Sequence, residues 1–156
     1  MNWLVLIDID QTLSAGIGGG AEPADRRAWQ HRLERPIAAV PAAVRALPRV
    51  MELARVAVVT GRPAHTKAAT AAWLRRCFPR LSCELHLCPV GVDAPVHKAA
   101  VFRRYRATFG DRICAIDDER YPGGPRHFFA PPMGWARLIA HLEAEIGETS
   151  KIGVDT

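Results

Sequence analysis

The chain has 156 residues, of which 49% are hydrophobic and 24% are charged, as expected for one soluble globular domain. No apolar run approaches the ~20 residues of a membrane span, and no secretory signal precedes the first apolar run, so we expect a cytoplasmic protein without membrane association. The net charge of +5 is compatible with a polyanionic partner such as nucleic acid, and equally with a solvated basic surface.

The first half of the chain predicts two strands and three helices. An apolar run at residues 4–7 predicts a strand buried on both faces, and residues 56–59 repeat the pattern. Between them lie a glycine-rich stretch at 14–25, which predicts a loop, a short helix at 24–34 and a helix at 41–53. Pro48 is expected to kink or split that last helix. A further helix is predicted from residue 63 to residue 77.

The second half continues the alternation of strand and helix. Residues 85–88, 113–116 and 127–129 predict three more strands, and residues 96–109 a helix. Apolar residues from Trp135 to Ile146 recur with the helical period and predict a final helix. Alternating buried strands and helices indicate an α/β protein with three αβα layers, a Rossmann-like fold around a parallel sheet of about five strands. We expect one domain, residues 1–148, followed by a C-terminal tail, 149–156.

Polar side chains follow three of these strands. Asp8 and Asp10 end the first, Thr60 the second, and Asp117 with Asp118 the fourth. Because ligands of open parallel sheets bind at the carboxyl ends of the strands, these groups are expected to meet in one crevice. A cluster of carboxylates requires positive charge, and Mg²⁺ prefers oxygen ligands. The sequence therefore predicts a Mg²⁺ site at this edge.

The motifs "DIDQT" (8–12), "VVTGR" (58–62), Lys98 and "IDD" (116–118) resemble, in this order, the four motifs of the haloacid dehalogenase superfamily of phosphohydrolases. The resemblance implies a phosphatase in which Asp8 is the nucleophile that forms an aspartyl phosphate. Asp10 would protonate the leaving oxygen and then activate water.

The same resemblance implies the remaining roles. Thr60 and the Gly61 amide would hold the phosphoryl oxygens, and Lys98 would supply positive charge to the phosphate and to the nucleophile. Mg²⁺ would be bound by four aspartates, Asp8, Asp10, Asp117 and Asp118. Of Asp117 and Asp118, Asp117 is the first choice for direct ligation.

A narrower resemblance concerns the substrate. Residues 60–76, 88–105 and 116–120 are similar to the phosphatase domain of polynucleotide kinase-phosphatases, which removes 3′-phosphates from nucleic acid. Arg62 matches an arginine important in that group, which implies a substrate-binding role. The spacing of the motifs also predicts a protein without a cap domain, or with a minimal one. Arginines that could contact a polyanion fall at 26, 27, 32 and 35, at 75, 76 and 80, and at 103, 104 and 106.

Two alternatives stay open: a phosphatase of small metabolites or nucleotides, and a non-catalytic module of the same fold that binds phosphate. The second is suggested by Gln11, which stands where most members of the superfamily have glycine. A side chain there is strained if the backbone φ is positive. The family pattern also has a helix before the fifth strand, whereas residues 119–129 leave too little room for one. The sequence leaves the oligomeric state open.

Overall fold

A computed structural model describes residues 3–15, 26–34 and 37–152. Its centre is a five-stranded sheet, all parallel, with strand order β3-β2-β1-β4-β5. The structure therefore confirms the predicted α/β fold with a central parallel sheet. The strands are β1 (Leu4–Ile7), β2 (Arg55–Pro63), β3 (Glu84–Cys88), β4 (Ile113–Ile116) and β5 (His127–Phe129).

The helices cover the sheet unevenly. One face packs against residues of α2, α3 and α5, with Leu33 of α1 at the margin. The other face packs, among the described residues, against α4 alone, through Val101, Phe102 and Phe109. Both faces are covered, so the three-layer arrangement holds and the middle strands are buried on both sides. The helices are α1 (Arg26–Glu34), α2 (Pro41–Leu53), α3 (Lys67–Cys77), α4 (Ala94–Phe109) and α5 (Gly134–Ile152).

Several boundaries differ from those expected. The α2 helix runs without interruption through Pro48, because the buried residues on either side, Leu47 and Val50, hold it against the core. The α3 helix is preceded by a turn of 3₁₀ helix, Ala64–Thr66, rather than beginning at residue 63. The α5 helix continues to Ile152, so the tail predicted from residue 149 begins inside its last turn. Most of the predicted glycine-rich loop, residues 16–25, lies outside the described residues.

Register within the sheet places the ends of β1 and β4 at one level, whereas β2 continues beyond that level to Pro63. Ile7, the last residue of β1, pairs with Val58 of β2 and with Ile116 of β4. The residues that follow these positions therefore emerge together at the carboxyl edge. Residues 117–126, between β4 and β5, contain no helix, as the short spacing predicted. No helix in the described part of the chain is long and apolar enough to cross a membrane.

Candidate active site

Asp8 and Asp117 lie side by side at the carboxyl edge of the sheet. Each directly follows a buried strand, and the Asp8 amide donates a hydrogen bond to the Ile116 carbonyl at 3.0 Å. Both side chains are buried. Burial raises the pKa of Asp8 well above its ordinary value, against the opposing effect of Lys98, and burial also raises the pKa of Asp117. The sheet thus holds two carboxylates in a place where their charges are unfavourable unless a cation offsets them.

Lys98 supplies part of that positive charge. Its Nζ lies 2.7 Å from Asp117 Oδ2 and 3.2 Å from Asp8 Oδ1. The side chain reaches the site because Lys98, Val101 and Phe102 share one face of α4, the face that packs on the sheet. Burial opposes the ammonium charge, but the two carboxylates and their hydrogen bonds outweigh it and raise the pKa of Lys98. Lys98 is therefore a fixed cation between the two acids.

Asp118 completes a group of three carboxylates. One oxygen from each of Asp8, Asp117 and Asp118 lies within 4.8 Å of the others, and the third residue is exposed. Ligands on opposite sides of one Mg²⁺ ion are about 4.2 Å apart, so small side-chain movements would bring these oxygens onto one ion. Three carboxylates against one ammonium leave an excess of two negative charges when all are ionised. An all-oxygen donor set with this excess fits a hard divalent cation.

Asp10 does not belong to the group of carboxylates formed by Asp8, Asp117 and Asp118. Its carboxylate is bound by Arg62, with Nε 2.9 Å from Oδ2 and Nη2 2.7 Å from Oδ1. Its carboxylate therefore forms a charge-assisted pair with Arg62 and is not directed at the group of three carboxylates. The structure thus brings together three of the four aspartates expected as ligands and separates the carboxylate of the fourth.

Arg62, which was expected to bind substrate, is paired with Asp10 in this structure. The side chain is fully buried, and its guanidinium carbon lies 5.6 Å from the centre of the Trp73 ring. Two of its nitrogens bind Asp10, whereas Nη1 has no hydrogen-bond partner among the described residues. Buried donors without a partner are uncommon in folded proteins. Arg62 therefore holds Asp10 in this structure, and its third nitrogen is enclosed in the protein.

Thr60 and Gly61 lie where β2 leaves its regular pairing with β3. The register shifts between Thr60 and Pro63, so this part of the strand departs from the flat ladder. Thr60 is buried, and its hydroxyl oxygen accepts a hydrogen bond from the Arg62 amide at 3.2 Å. Gly61 is required by close packing, because an added Cβ would lie 2.9 Å from the Cβ of Ala94. The first turn of α4 therefore rests directly on the β2 end.

Gln11 has a backbone φ of 65°, and it is the one residue other than glycine in the described chain with a positive φ. This is the left-handed region, in which Cβ crowds the backbone. The side chain is exposed. The backbone strain predicted for a positive φ at Gln11 is therefore present, in the turn that follows Asp10.

Sequence reasoning missed two residues near the site. The Ser14 hydroxyl donates a hydrogen bond to Asp10 Oδ1 at 3.0 Å, a contact that the motif alone does not reveal. Tyr121 is buried in the connection from β4 to β5. Burial, followed by the charges of Asp117 and Asp8, raises the pKa of its phenol. In the sequence, nothing but its size marked Tyr121 as a residue near the site.

The arginines expected to contact a polyanion are divided by the sheet. Arg75 and Arg76 lie on α3, whereas Arg103, Arg104 and Arg106 lie on α4, which covers the opposite face. The fold therefore does not line one groove with both sets. The α1 helix packs against α3 and the 3₁₀ turn that follows β2. It carries three of the remaining arginines, at positions 26, 27 and 32, whereas position 35 lies outside the described residues.

No protein-family model matches the chain, and no similar sequence was found among curated proteins.

Proposed function

We propose that the protein is a Mg²⁺-dependent phosphatase of the haloacid dehalogenase type, which hydrolyses phosphomonoesters through an aspartyl phosphate. The observation that carries the proposal is the placement of Lys98 Nζ between Asp8 and Asp117, with Asp118 beside them. A phosphoryl group brings further negative charge to such a site. Phosphoryl transfer depends chiefly on positioning and charge neutralisation, and this group of residues supplies both.

Asp8 would attack the phosphorus atom, forming an oxygen–phosphorus bond as the bond to the leaving oxygen breaks. Asp10 would give its proton to that leaving oxygen. In the second step water attacks the phosphorus as Asp10 takes up a proton from it, and the bond to Asp8 breaks to release inorganic phosphate. Asp8 can act as nucleophile and Asp10 as proton donor because Arg62 holds the Asp10 carboxylate, whereas Lys98 contacts Asp8.

The other expected residues support the same chemistry. Lys98 would stay paired with the nucleophile and face the transferred phosphoryl oxygens, while Thr60 and the Gly61 amide would orient them. Asp8, Asp117 and Asp118 would hold Mg²⁺, which supplies charge neutralisation when bound. The Asp10 carboxylate, the fourth expected ligand, would serve proton transfer instead.

For the substrate, we propose the 3′-phosphate of a nucleic acid end. Support comes from the basic α1 helix, which packs against the 3₁₀ turn that follows β2. The chain between β2 and α4 holds only a 3₁₀ turn, α3 and β3, so no inserted domain covers the site from that segment. A site without an inserted domain on this side admits a polymer end. We further propose that residues 1–148 act as a single domain in the cytoplasm.

The first test is release of inorganic phosphate from a generic aryl phosphate with and without Mg²⁺. We expect Mg²⁺-dependent release that is lost in Asp8→Asn, with Asp111→Asn, an exposed acid on the loop after α4, as the matched control. Activity that survives in Asp8→Asn would refute the mechanism. Absence of release by the folded wild-type chain in Mg²⁺ would favour a module that binds phosphate without hydrolysing it.

A second test separates the substrate classes. A 3′-phosphorylated oligonucleotide is compared with sugar phosphates and mononucleotides at equal concentration. Preference for the oligonucleotide, lost as salt is raised, supports the nucleic acid proposal. Turnover of the small substrates alone would make the protein a metabolite or nucleotide phosphatase.

A further inference from the structure

Ser14 contacts the acid that the proposed mechanism uses for proton transfer. Its Oγ donates a hydrogen bond to Asp10 Oδ1 at 3.0 Å, and the side chain is fully buried. We propose that Ser14 is a positioning residue, which fixes the Asp10 carboxylate so that Oδ2 is the oxygen that carries the proton. This inference rests on the proposed phosphatase function.

The turn that carries Ser14 is firmly held. The amides of residues 12, 13 and 14 all donate to the Ile9 carbonyl, at 3.2, 2.8 and 2.8 Å. The next amide, of Ala15, donates to the Ala38 carbonyl at 2.9 Å and ties the turn to the segment before α2. The hydroxyl of Ser14 is therefore presented to Asp10 by a backbone with little freedom to move away.

The two oxygens of Asp10 are not equivalent. Oδ1 accepts hydrogen bonds from Arg62 Nη2 at 2.7 Å and from Ser14 Oγ at 3.0 Å. Oδ2 accepts one, from Arg62 Nε at 2.9 Å. A carboxylate oxygen has two lone pairs, so Oδ1 is fully used and Oδ2 keeps one free. A proton can therefore reside on Oδ2 without disturbing a hydrogen bond, whereas on Oδ1 it would displace Arg62 Nη2 or require the Ser14 hydroxyl to turn from donor to acceptor.

This asymmetry matters in each half of the reaction. When the phosphorus–oxygen bond of the substrate breaks, the proton on Oδ2 moves to the leaving oxygen as Asp8 bonds to phosphorus. When water attacks, Oδ2 takes a proton from it as the bond between phosphorus and Asp8 breaks. Without the Ser14 hydroxyl, Oδ1 regains a free lone pair, and the proton divides between two oxygens that point in different directions. A misplaced proton slows the steps that depend on its transfer.

The test compares two classes of leaving group in Ser14→Ala. An aryl phosphate with an acidic phenol leaves without protonation, whereas an alkyl phosphate with a basic alkoxide requires the proton. We expect kcat/KM for the alkyl phosphate to fall about tenfold more than that for the aryl phosphate, a part of the 10²–10⁴ that general acid catalysis contributes. Ser82→Ala, an exposed serine at the opposite edge of the sheet, is the control and should leave both unchanged.

An equal loss on both substrates, or no loss on either, would overturn the proposal, because a purely structural role of the serine moves both rates together. If Ser14→Ala does not fold, Ser14→Cys keeps the volume with a weaker donor, and a wild-type ratio of the two rates in that variant would also overturn it. Failure of the phosphatase function itself is seen separately, as an inactive wild type or an active Asp8→Asn.

Discussion

Arg62 binds both carboxylate oxygens of Asp10, with its own side chain fully buried and that of Asp10 24% exposed. A two-point pair fixes the plane of the carboxylate as well as its position, which a single contact cannot do. Each partner offsets the charge of the other in a part of the chain with little access to water. Loss of either partner leaves the other with an unpaired charge in a poorly hydrated place, which destabilises the fold.

Arg62→Lys is expected to lower both stability and turnover. Lysine keeps the charge but replaces the planar two-point contact by a single ammonium and leaves space beside Trp73. We expect a loss of about 2–4 kcal/mol in the free energy of unfolding, measured with urea. Turnover of an aryl phosphate should fall at least about tenfold, since about 1.4 kcal/mol in a barrier is tenfold in rate.

The matched control for this change is Arg49→Lys. Arg49 also binds carboxylates, those of Glu52 and Glu143, but its side chain is 47% exposed. Exposed pairs contribute little, so the control should lose much less stability than Arg62→Lys. Equal losses in the two variants would contradict the structural importance of the buried pair.

Gln11→Gly should stabilise the protein by up to about 1 kcal/mol. The φ of 65° at this position is freely available to glycine and strained for a residue with a Cβ. Urea unfolding measures the gain, and Gln11→Ala, which retains the Cβ, should show none. A less stable Gln11→Gly would mean that the glutamine side chain makes a contact that offsets the strain.

Gly61→Ala should destabilise the protein and reduce turnover together. The new Cβ would lie 2.9 Å from Ala94 Cβ, and relief of this clash moves the first turn of α4, one turn before Lys98. Overpacking of this kind costs about 1–3 kcal/mol. Gly147→Ala in α5, where an added Cβ meets nothing within 4 Å, is the control and should gain about 0.5–1 kcal/mol from helix propensity. Unchanged turnover in Gly61→Ala would show that the contact does not position Lys98.

Mg²⁺ should raise the thermal unfolding temperature of the wild type. Binding to the folded state adds about 2.7 kcal/mol at a hundredfold excess over Kd. Asp118→Asn replaces one of the three proposed carboxylate ligands by a neutral amide and should reduce the rise, whereas Asp111→Asn, 86% exposed and away from the group, should not. An equal rise in all three proteins would place the ion elsewhere. This measurement reports binding whether or not the protein is an enzyme.

Acid should weaken the packing of α5 through His141. Burial, followed by the charge of His127, lowers the pKa of His141, so the folded state binds a proton less readily than the unfolded chain. The contribution of this group to stability is therefore present above the ordinary histidine pKa of about 6.5 and falls as the pH drops below it. His141→Gln should show a smaller loss of stability than the wild type between about pH 8 and about pH 5. An unchanged pH dependence would exclude His141 as its source.

The parts of the site that follow from strand ends could be predicted from the sequence. Asp8 and Asp117 meet because parallel strands end at one edge, and that edge is readable from two short apolar runs. The pairing of Arg62 with Asp10 could not be predicted, because it depends on the shift in register after Thr60. The bounds of α2 were predicted correctly, but the possible split at Pro48 does not occur, since tertiary packing outweighed the local cost of proline. Local patterns locate strand ends but not the directions of the side chains beyond them.

In the described part of the chain, α4 alone covers the second face of the sheet, and it also carries Lys98 of the proposed site. If α4 detached while the helices of the other face stayed in place, Lys98 would leave Asp8 and Asp117, and buried residues such as Leu6 and Val59 would meet water. Such an opening has its own free energy, separate from that of global unfolding, and it can be followed through amide hydrogen exchange. A ligand that draws Lys98 towards its oxygens would slow exchange along the whole of α4. Occupancy of the site could then be read from amides as distant as that of Phe109, at the far end of the helix.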